Sequence, residues 1–314
     1  MKYSRVVTIL TVIASLTTQT ADAQYDVSFS HYFDKPTAYN PAAAGRDTKL
    51  NVNAGYAMTM TGFEHSPQTA YISADMPFHA LNMRHGVGLK FLNDKLGLFT
   101  HQVIAAQYVY RRSLAGGNIG IGIQAGLLSE SFDGSRADAE ESGDDVIPTS
   151  KVDGNSLDLA AGLYYDNGPW YAGVAVQHAN APLVTLGERN ELKVDPTLYL
   201  TGGYTFRLRS PFLAIAASTL LRTDFTAYRA DLTARLIYSN EGKRLSAGVG
   251  YSPDNSATLY VGGSFHGIFL GYSYEIYTSG LNIGDGAHEI SVTYQTDINF
   301  FPKGRNRHQA VRYL

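Results

Sequence analysis

The sequence predicts an all-β protein, a transmembrane antiparallel β-barrel of about 14 strands with an N-terminal plug-like segment. Three observations carry that expectation. Apolar and polar residues alternate with a period of two over runs near ten residues, the length a tilted membrane strand needs. Tyrosines and phenylalanines, 22 and 14 in the 314 residues, recur at the ends of those runs on the apolar parity. No stretch after the first two dozen residues shows a helical period with caps, and none is long and apolar enough for a membrane helix.

The chain opens on an export signal. Lys2 and Arg5 form a short basic region, Val6 to Leu16 is apolar apart from Thr and Ser, and Ala21-Asp22-Ala23 places small residues where a signal peptidase reads. Residues 1–23 are therefore expected to be removed, with cleavage before Gln24. Losing Lys2, Arg5 and Asp22 leaves 23 basic and 27 acidic residues in the mature chain.

The alternation is plainest from Tyr228 to Tyr238. Tyr228, Ala230, Leu232, Ala234, Leu236 and Tyr238 share one parity, while Arg229, Asp231, Thr233 and Arg235 share the other. In a strand the two sets point to opposite faces. Leu198, Leu200, Tyr204 and Phe206 oppose Thr197, Thr201, Thr205 and Arg207 in the same way, and Ile290, Val292, Tyr294, Ile298 and Phe300 oppose Glu289, Ser291, Thr293, Gln295, Asp297 and Asn299. A soluble sandwich also alternates, but its strands are shorter and carry no aromatic girdles. The second parity here is polar and glycine-rich, with Gly120, Gly122, Gly126, Gly248 and Gly250, as a barrel interior would be.

Strands are expected at 49–59, 67–76, 84–93, 98–111, 117–130, 155–165, 169–179, 196–207, 211–222, 225–239, 243–252, 256–265, 267–277 and 287–300. An even count suits a single-chain bacterial barrel and puts both termini on the periplasmic side. The tight turns 166–168, 208–209 and 240–242 follow even strands, and the long connections 131–154, 180–195 and 278–286 follow odd ones. The barrel domain is thus 49–301, preceded by a periplasmic or plug-like segment, 24–48, and followed by a basic periplasmic tail, 302–314.

Composition removes several chemistries. Zero cysteines exclude disulfides, thiolate metal sites and thiol nucleophiles, and near-neutral charge gives no pull toward nucleic acid. The nine histidines form no metal-ligand pair at helical spacing. In the acidic 131–154 loop, Asp138-x-Glu140-x-Ser142-Gly143 mimics the opening of a calcium loop, but Thr149 occupies the closing glutamate position. That reads as a solvated outer loop. No nucleophile elbow occurs, the Gly-x-Gly stretches precede no helix, and no serine pairs with a histidine at lipid level. No enzyme, metal or cofactor is expected.

The inward parity carries Asp75, Lys90, Asp158, Arg207, Arg229, Asp231, Arg235, Glu275, Glu289 and Asp297. Both signs occur in comparable number, which favours an internal salt-bridge network in a closed or plugged lumen over a charge-selective pore. The two flanks say more. Ser28 to Phe33, then Pro36 and Tyr39-Asn40-Pro41-Ala42-Ala43-Ala44-Gly45, form an aromatic, Asn/Pro/Gly-rich lead without a period. The tail carries Lys303, Arg305, Arg307 and Arg312 and no acid, so it could dock an acidic periplasmic partner or rest near lipid headgroups.

The lead Ser30-His31-Tyr32-Phe33, Pro36, Tyr39-Asn40-Pro41-Ala42 and Ala44-Gly45 resembles the opening of the PorP/SprF family of type IX secretion outer-membrane proteins. Ser73-Ala74-Asp75-Met76-Pro77, Gly86-Val87-Gly88, Asn93-Asp94 and the final-strand His288-Glu289-Ile290-Ser291 extend the resemblance over nearly the whole mature chain. Ala43 and Ala44 stand where a larger residue is expected, and the chain continues past Phe300-Phe301 instead of ending on an aromatic.

The resemblance implies a non-enzymatic component in the outer membrane of a Gram-negative bacterium. Such a component supports secretion or surface attachment of proteins with a C-terminal sorting domain and anchors periplasmic ring proteins and lipoproteins. Partner contacts are then expected at His31, Tyr32, Tyr39, Asn40, Pro41, Gly45, the 131–154 loop and the tail. The alternative is a passive porin or solute channel, distinguished by steady conductance.

Overall fold

The computed structural model describes residues 26–62, 66–136, 150–187, 190–278 and 284–298. Fourteen antiparallel strands close into a barrel. They are β1 (Lys49–Met58), β2 (Gln68–Ala80), β3 (Met83–Leu96), β4 (Phe99–Leu114), β5 (Gly117–Asp133), β6 (Lys151–Asn167) and β7 (Trp170–Gln177), followed after a separate hairpin by seven more. The hairpin is β8 (Leu183–Leu186) and β9 (Asn190–Lys193). The later barrel strands are β10 (Thr197–Arg207), β11 (Leu213–Thr223), β12 (Tyr228–Asn240), β13 (Lys243–Ser252), β14 (Ser256–Phe265), β15 (Ile268–Tyr277) and β16 (Ala287–Asp297). Closure comes from β1 on β16, in a register running from Lys49↔Asp297 to Met58↔His288.

The strands match the sequence expectation in number and order, but several ends differ by three or four residues, with β5 running to Asp133 and β6 starting at Lys151 inside the expected 131–154 loop. Two further details differ. β6 runs on through Asn167, so its turn is Gly168-Pro169, and the 180–195 connection holds the β8–β9 hairpin. The short turns at one end have a local cause. Leu81-Asn82, Ala115-Gly116, Glu241-Gly242 and His266-Gly267 are pairs of consecutive positive-φ residues. That backbone continues the right-handed twist of the strands it joins.

The two parities separate as the pattern requires. Ile72, Leu89, Ile104, Ile123, Leu157, Leu232, Val249, Leu259 and Ile290 are all half or more exposed on the outside, or close to it, where hydrocarbon rather than water surrounds them. Tyr108, Tyr204, Phe206 and Tyr238 mark the short-turn end of that band, and Tyr56, Tyr228, Tyr251 and Tyr272 the other. Polar side chains point inward: Asn51, Ser73, Gln107, Gln124, Thr233 and Ser291 are buried.

Candidate functional site

The lumen is occupied by the chain's own N-terminal segment. Residues 26–46 contain only short helical turns, at Tyr32–Asp34, Pro36–Tyr39 and Pro41–Ala43. Proline fixes φ at the start of the second and third, and the Asn40 side chain accepts from Ala42 N, which caps the last. Such a segment cannot satisfy its backbone internally, so the barrel wall does it.

The contacts run right round the wall. Tyr32 Oη donates to Ser218 O on β11 at 2.8 Å and makes a short hydrogen bond with Thr233 on β12. Gln107 Nε2 on β4 donates to Thr37 O at 2.8 Å, and Lys90 Nζ on β3 to Ala38 O at 3.2 Å. Gln177 on β7 donates to Tyr39 O at 2.9 Å, while Asn40 Nδ2 donates to Leu163 O on β6 at 2.9 Å. Arg111 on β4 reaches Ala42 O at 2.8 Å and Ala44 O at 3.1 Å. A segment bonded to β3, β4, β6, β7, β11, β12 and β16 of one closed barrel can lie only inside it.

Two ionic clusters hold it. Lys35, fully buried, places Nζ 2.7 Å from Glu289 Oε1 and 3.1 Å from Ser291 Oγ on β16. The same glutamate accepts from Ser30 N at 2.5 Å and His31 N at 3.3 Å. At the other cluster, His178 just beyond β7 bridges Asp26 (2.9 Å) and Asp158 (2.8 Å). Tyr199 Oη donates to Asp26 Oδ2 at 2.6 Å, and Arg222 Nη1 donates to the Asp26 carbonyl at 2.8 Å.

Burial works against charge on Asp26, but His178, Tyr199 and Arg222 outweigh it and hold the carboxyl well below the usual range. Burial likewise opposes the His178 imidazolium, yet Asp26 and Asp158 raise its pKa to about 10.

Inward glycines make the room. A Cβ on Gly122 would lie 2.4 Å from Ala42 N, and one on Gly86 2.3 Å from Ala44 O. Gly45 itself, at φ +63°, sits against Gly86 Cα and the Met76 carbonyl where no side chain fits, and its N–H donates to Asp75 at 2.8 Å.

The segment crosses the lumen end to end. Arg46 lies by Arg84 and Tyr164 near the short turns. Asp26 lies by His178, Tyr199 and Arg222, within three residues of the long-connection ends of β7, β10 and β11. Both ends were expected on one side; among the described residues, Asp26 and Ile298 lie at opposite ends of the barrel.

Beside Asp26, the β8–β9 hairpin dips into the mouth. Its Val184 and Leu186, with Val194, are buried against Val103, Ala105 and Leu128 of the wall. A small void of about 50 Å³ lies between the segment and the wall, lined by Asp26, Tyr39, Lys90 and His178, whereas a cavity of about 610 Å³ opens at the short-turn end.

The pattern that defines the type IX secretion system membrane protein PorP/SprF matches residues 21–294. The chain belongs to the PorP/SprF family. No curated protein matches it in sequence. Among solved structures it is similar to the CymD monoaromatic hydrocarbon channel (11% identity, 84% of this chain and 93% of that one, TM-score 0.50). It is also similar to the Ralstonia pickettii toluene transporter TbuX (12% identity, 82% and 92%, TM-score 0.47). At such identities the likeness concerns the fold alone. Family and fold together make this an outer-membrane β-barrel of the type IX secretion system.

In this PorP/SprF chain the sequence-expected residues fall into three groups. His31, Tyr32, Tyr39, Asn40, Pro41 and Gly45 are buried in the lumen, where their contacts are with the wall. Asp75, Lys90, Asp158, Arg229, Asp231, Arg235, Glu275 and Glu289 all face inward. Arg229 bridges Asp231 (2.9 Å) and Glu275 (3.0 Å) within the wall, while Asp75, Lys90, Asp158 and Glu289 close their networks through the N-terminal segment or His178. Lys303, Arg305, Arg307, Arg312, the signal and most of the acidic loop lie outside the described residues. Asp26, Lys35, Arg111 and His178 were not anticipated. The inward glycines, already visible in the sequence, were the signal that something packs against the wall.

Proposed function

We propose that this family member is a self-plugged outer-membrane platform. It supports secretion or surface attachment of proteins with a C-terminal sorting domain and anchors periplasmic ring proteins and lipoproteins of the type IX system. The observation that supports the reading is the N-terminal segment lying in the lumen and bonded to several strands around the wall, which suits an anchor better than an open channel. The short-turn end faces the periplasm and the long connections face out. Partner contacts fall on the periplasmic tail, with Lys303, Arg305, Arg307 and Arg312, and on the outer connections, since His31 to Gly45 serve the plug.

The test is quantitative proteomics of medium and cell surface in a deletion strain and its complemented parent. Broad loss of sorting-domain proteins supports a core role, and loss of one surface protein a dedicated role. An unchanged profile, together with steady conductance of the purified protein in a planar bilayer, sinks the platform reading in favour of a porin.

A further inference from the structure

The cavity at the short-turn end is a cup. Its floor is the N-terminal segment, at Phe33, Asp34 and Pro36, and its wall is the inner face of the barrel. About 610 Å³ is the size of a pocket that encloses a ligand of several residues or a drug-sized molecule.

Its charges are unevenly satisfied. Arg235, only 9% exposed, lies over the Phe33 ring at 3.4 Å; its Nη2 donates to Ser218 Oγ at 3.4 Å, and its Nε has no hydrogen-bond partner. The nearest carboxylate, Asp34, stands 3.9 Å from Nη1, beyond hydrogen-bond reach, and Asp34 Oδ2 is likewise unbonded. Arg244 stacks on Phe269 at 5.0 Å and has no carboxylate within ion-pair distance among the described residues. Of the other acids lining the cup, Asp75 accepts from Gly45 and Asn51, and Asp166 accepts from Asn118 at 3.3 Å and stands 3.7 Å from Arg111, as Asp47 stands 3.8 Å from Arg46. With one face on an aromatic ring, Arg244 and the unbonded Nε of Arg235 still offer donors to a planar acceptor. Two such groups beside aromatic rings suit a carboxylate flanked by an apolar side chain.

We propose that this cup binds a carboxylate-bearing extended peptide segment of a partner protein, presented from the periplasm. Arg244 and Arg235 take the carboxylate, and Phe269 and Tyr171 take the neighbouring apolar group. The proposal rests on the platform reading for which side the cup faces. The lumen wall separates the cup from lipid, so the occupant is a chain that can reach in from solution.

Full-length protein in detergent is titrated with N-acetyl-Ala-Ala-Phe-Glu and with its neutral amide, N-acetyl-Ala-Ala-Phe-Gln-NH₂, by isothermal titration calorimetry. Saturable change with the acid, at least tenfold weaker with the amide and with Arg244→Gln or Arg244→Glu, is expected. Equal response to both peptides, no response to either, or binding indifferent to Arg244 overturns the proposal. Competition by inorganic phosphate as strong as the peptide itself would point to a free-anion site and overturn the peptide assignment. Each variant is first checked for a heat-modifiable barrel, so a folding failure is seen separately. A negative titration beside lost sorting-domain proteins in the deletion strain sinks this site and leaves the platform standing.

Discussion

Lys35→Met removes the cation from the most buried ion pair between the N-terminal segment and the barrel wall while keeping most of its bulk. In the native protein Lys35 Nζ sits 2.7 Å from Glu289 Oε1, with neither side chain more than 3% exposed. Without the ammonium, Glu289 keeps the Ser30 and His31 amides as donors and the His31 ring 3.5 Å away, but loses its closest cation while staying buried. Breaking one side of such a pair costs about 3–5 kcal/mol. Lys35 takes no part in any strand pairing, so the loss falls on docking of the segment and the barrel itself is spared.

At about 1.4 kcal/mol per tenfold, the docked-to-released ratio falls by roughly two to three and a half orders of magnitude. Planar-bilayer recording reads this directly as a rise of at least about a hundredfold in opening frequency. Lys35→Met with Glu289→Gln removes both charges and should restore most of the quiet baseline, because a neutral pair carries no uncompensated charge. A single variant as silent as the parent refutes the reasoning. So does a double variant that opens as often as the single.

Three further outcomes are expected. The His178 imidazolium has a pKa of about 10 when docked against an ordinary value near 6.5, so its contribution is whole below about 6.5 and is lost as pH rises toward 10. Opening frequency should therefore climb between neutral pH and pH about 10, and His178→Gln should flatten that rise. Gly122→Ala puts a Cβ 2.4 Å from Ala42 N, so it should open the lumen while heat-modifiability of the barrel stays native. Val184→Asp buries a carboxylate in the apolar cluster with Val103 and Leu128 and should release the β8–β9 hairpin. Added protease on intact cells would then cut within residues 183–193, and a hairpin as resistant as the parent's would refute the packing.

The barrel was legible because its signal is local and repeated. Period-two alternation over ten residues, girdle tyrosines such as Tyr228 and Tyr238, and two-residue turns each report on one strand without needing its neighbours. The hairpin hid because β8 and β9 have four residues each, too short for a period, and their apolar residues Val184 and Leu186 read as loop. The site was half legible. The parity of the strand charges can be read from the sequence, but Lys35 meets Glu289 across 254 residues and Asp26 meets His178 across 152, and no single-sequence pattern encodes such pairings.

Those separations also constrain how the molecule assembles. The segment precedes β1, yet it is held by β16, and β16 closes the barrel on β1. Lys35 cannot be neutralised until the last strand is in place, and the same holds for the amides of Ser30 and His31 that point at Glu289. Until then the lysine and the polar lumen must stay hydrated, because burying either alone carries the full desolvation penalty. Docking thus follows closure or coincides with it, so an unplugged barrel should precede the closed one during assembly. A protein arrested before docking would conduct and would expose Arg46 to trypsin. Pulse-chase insertion into lipid vesicles, sampled for cleavage at Arg46, should show protection appearing after heat-modifiability does. If protection comes first, the segment docks on an open sheet and the order argued from Glu289 is wrong.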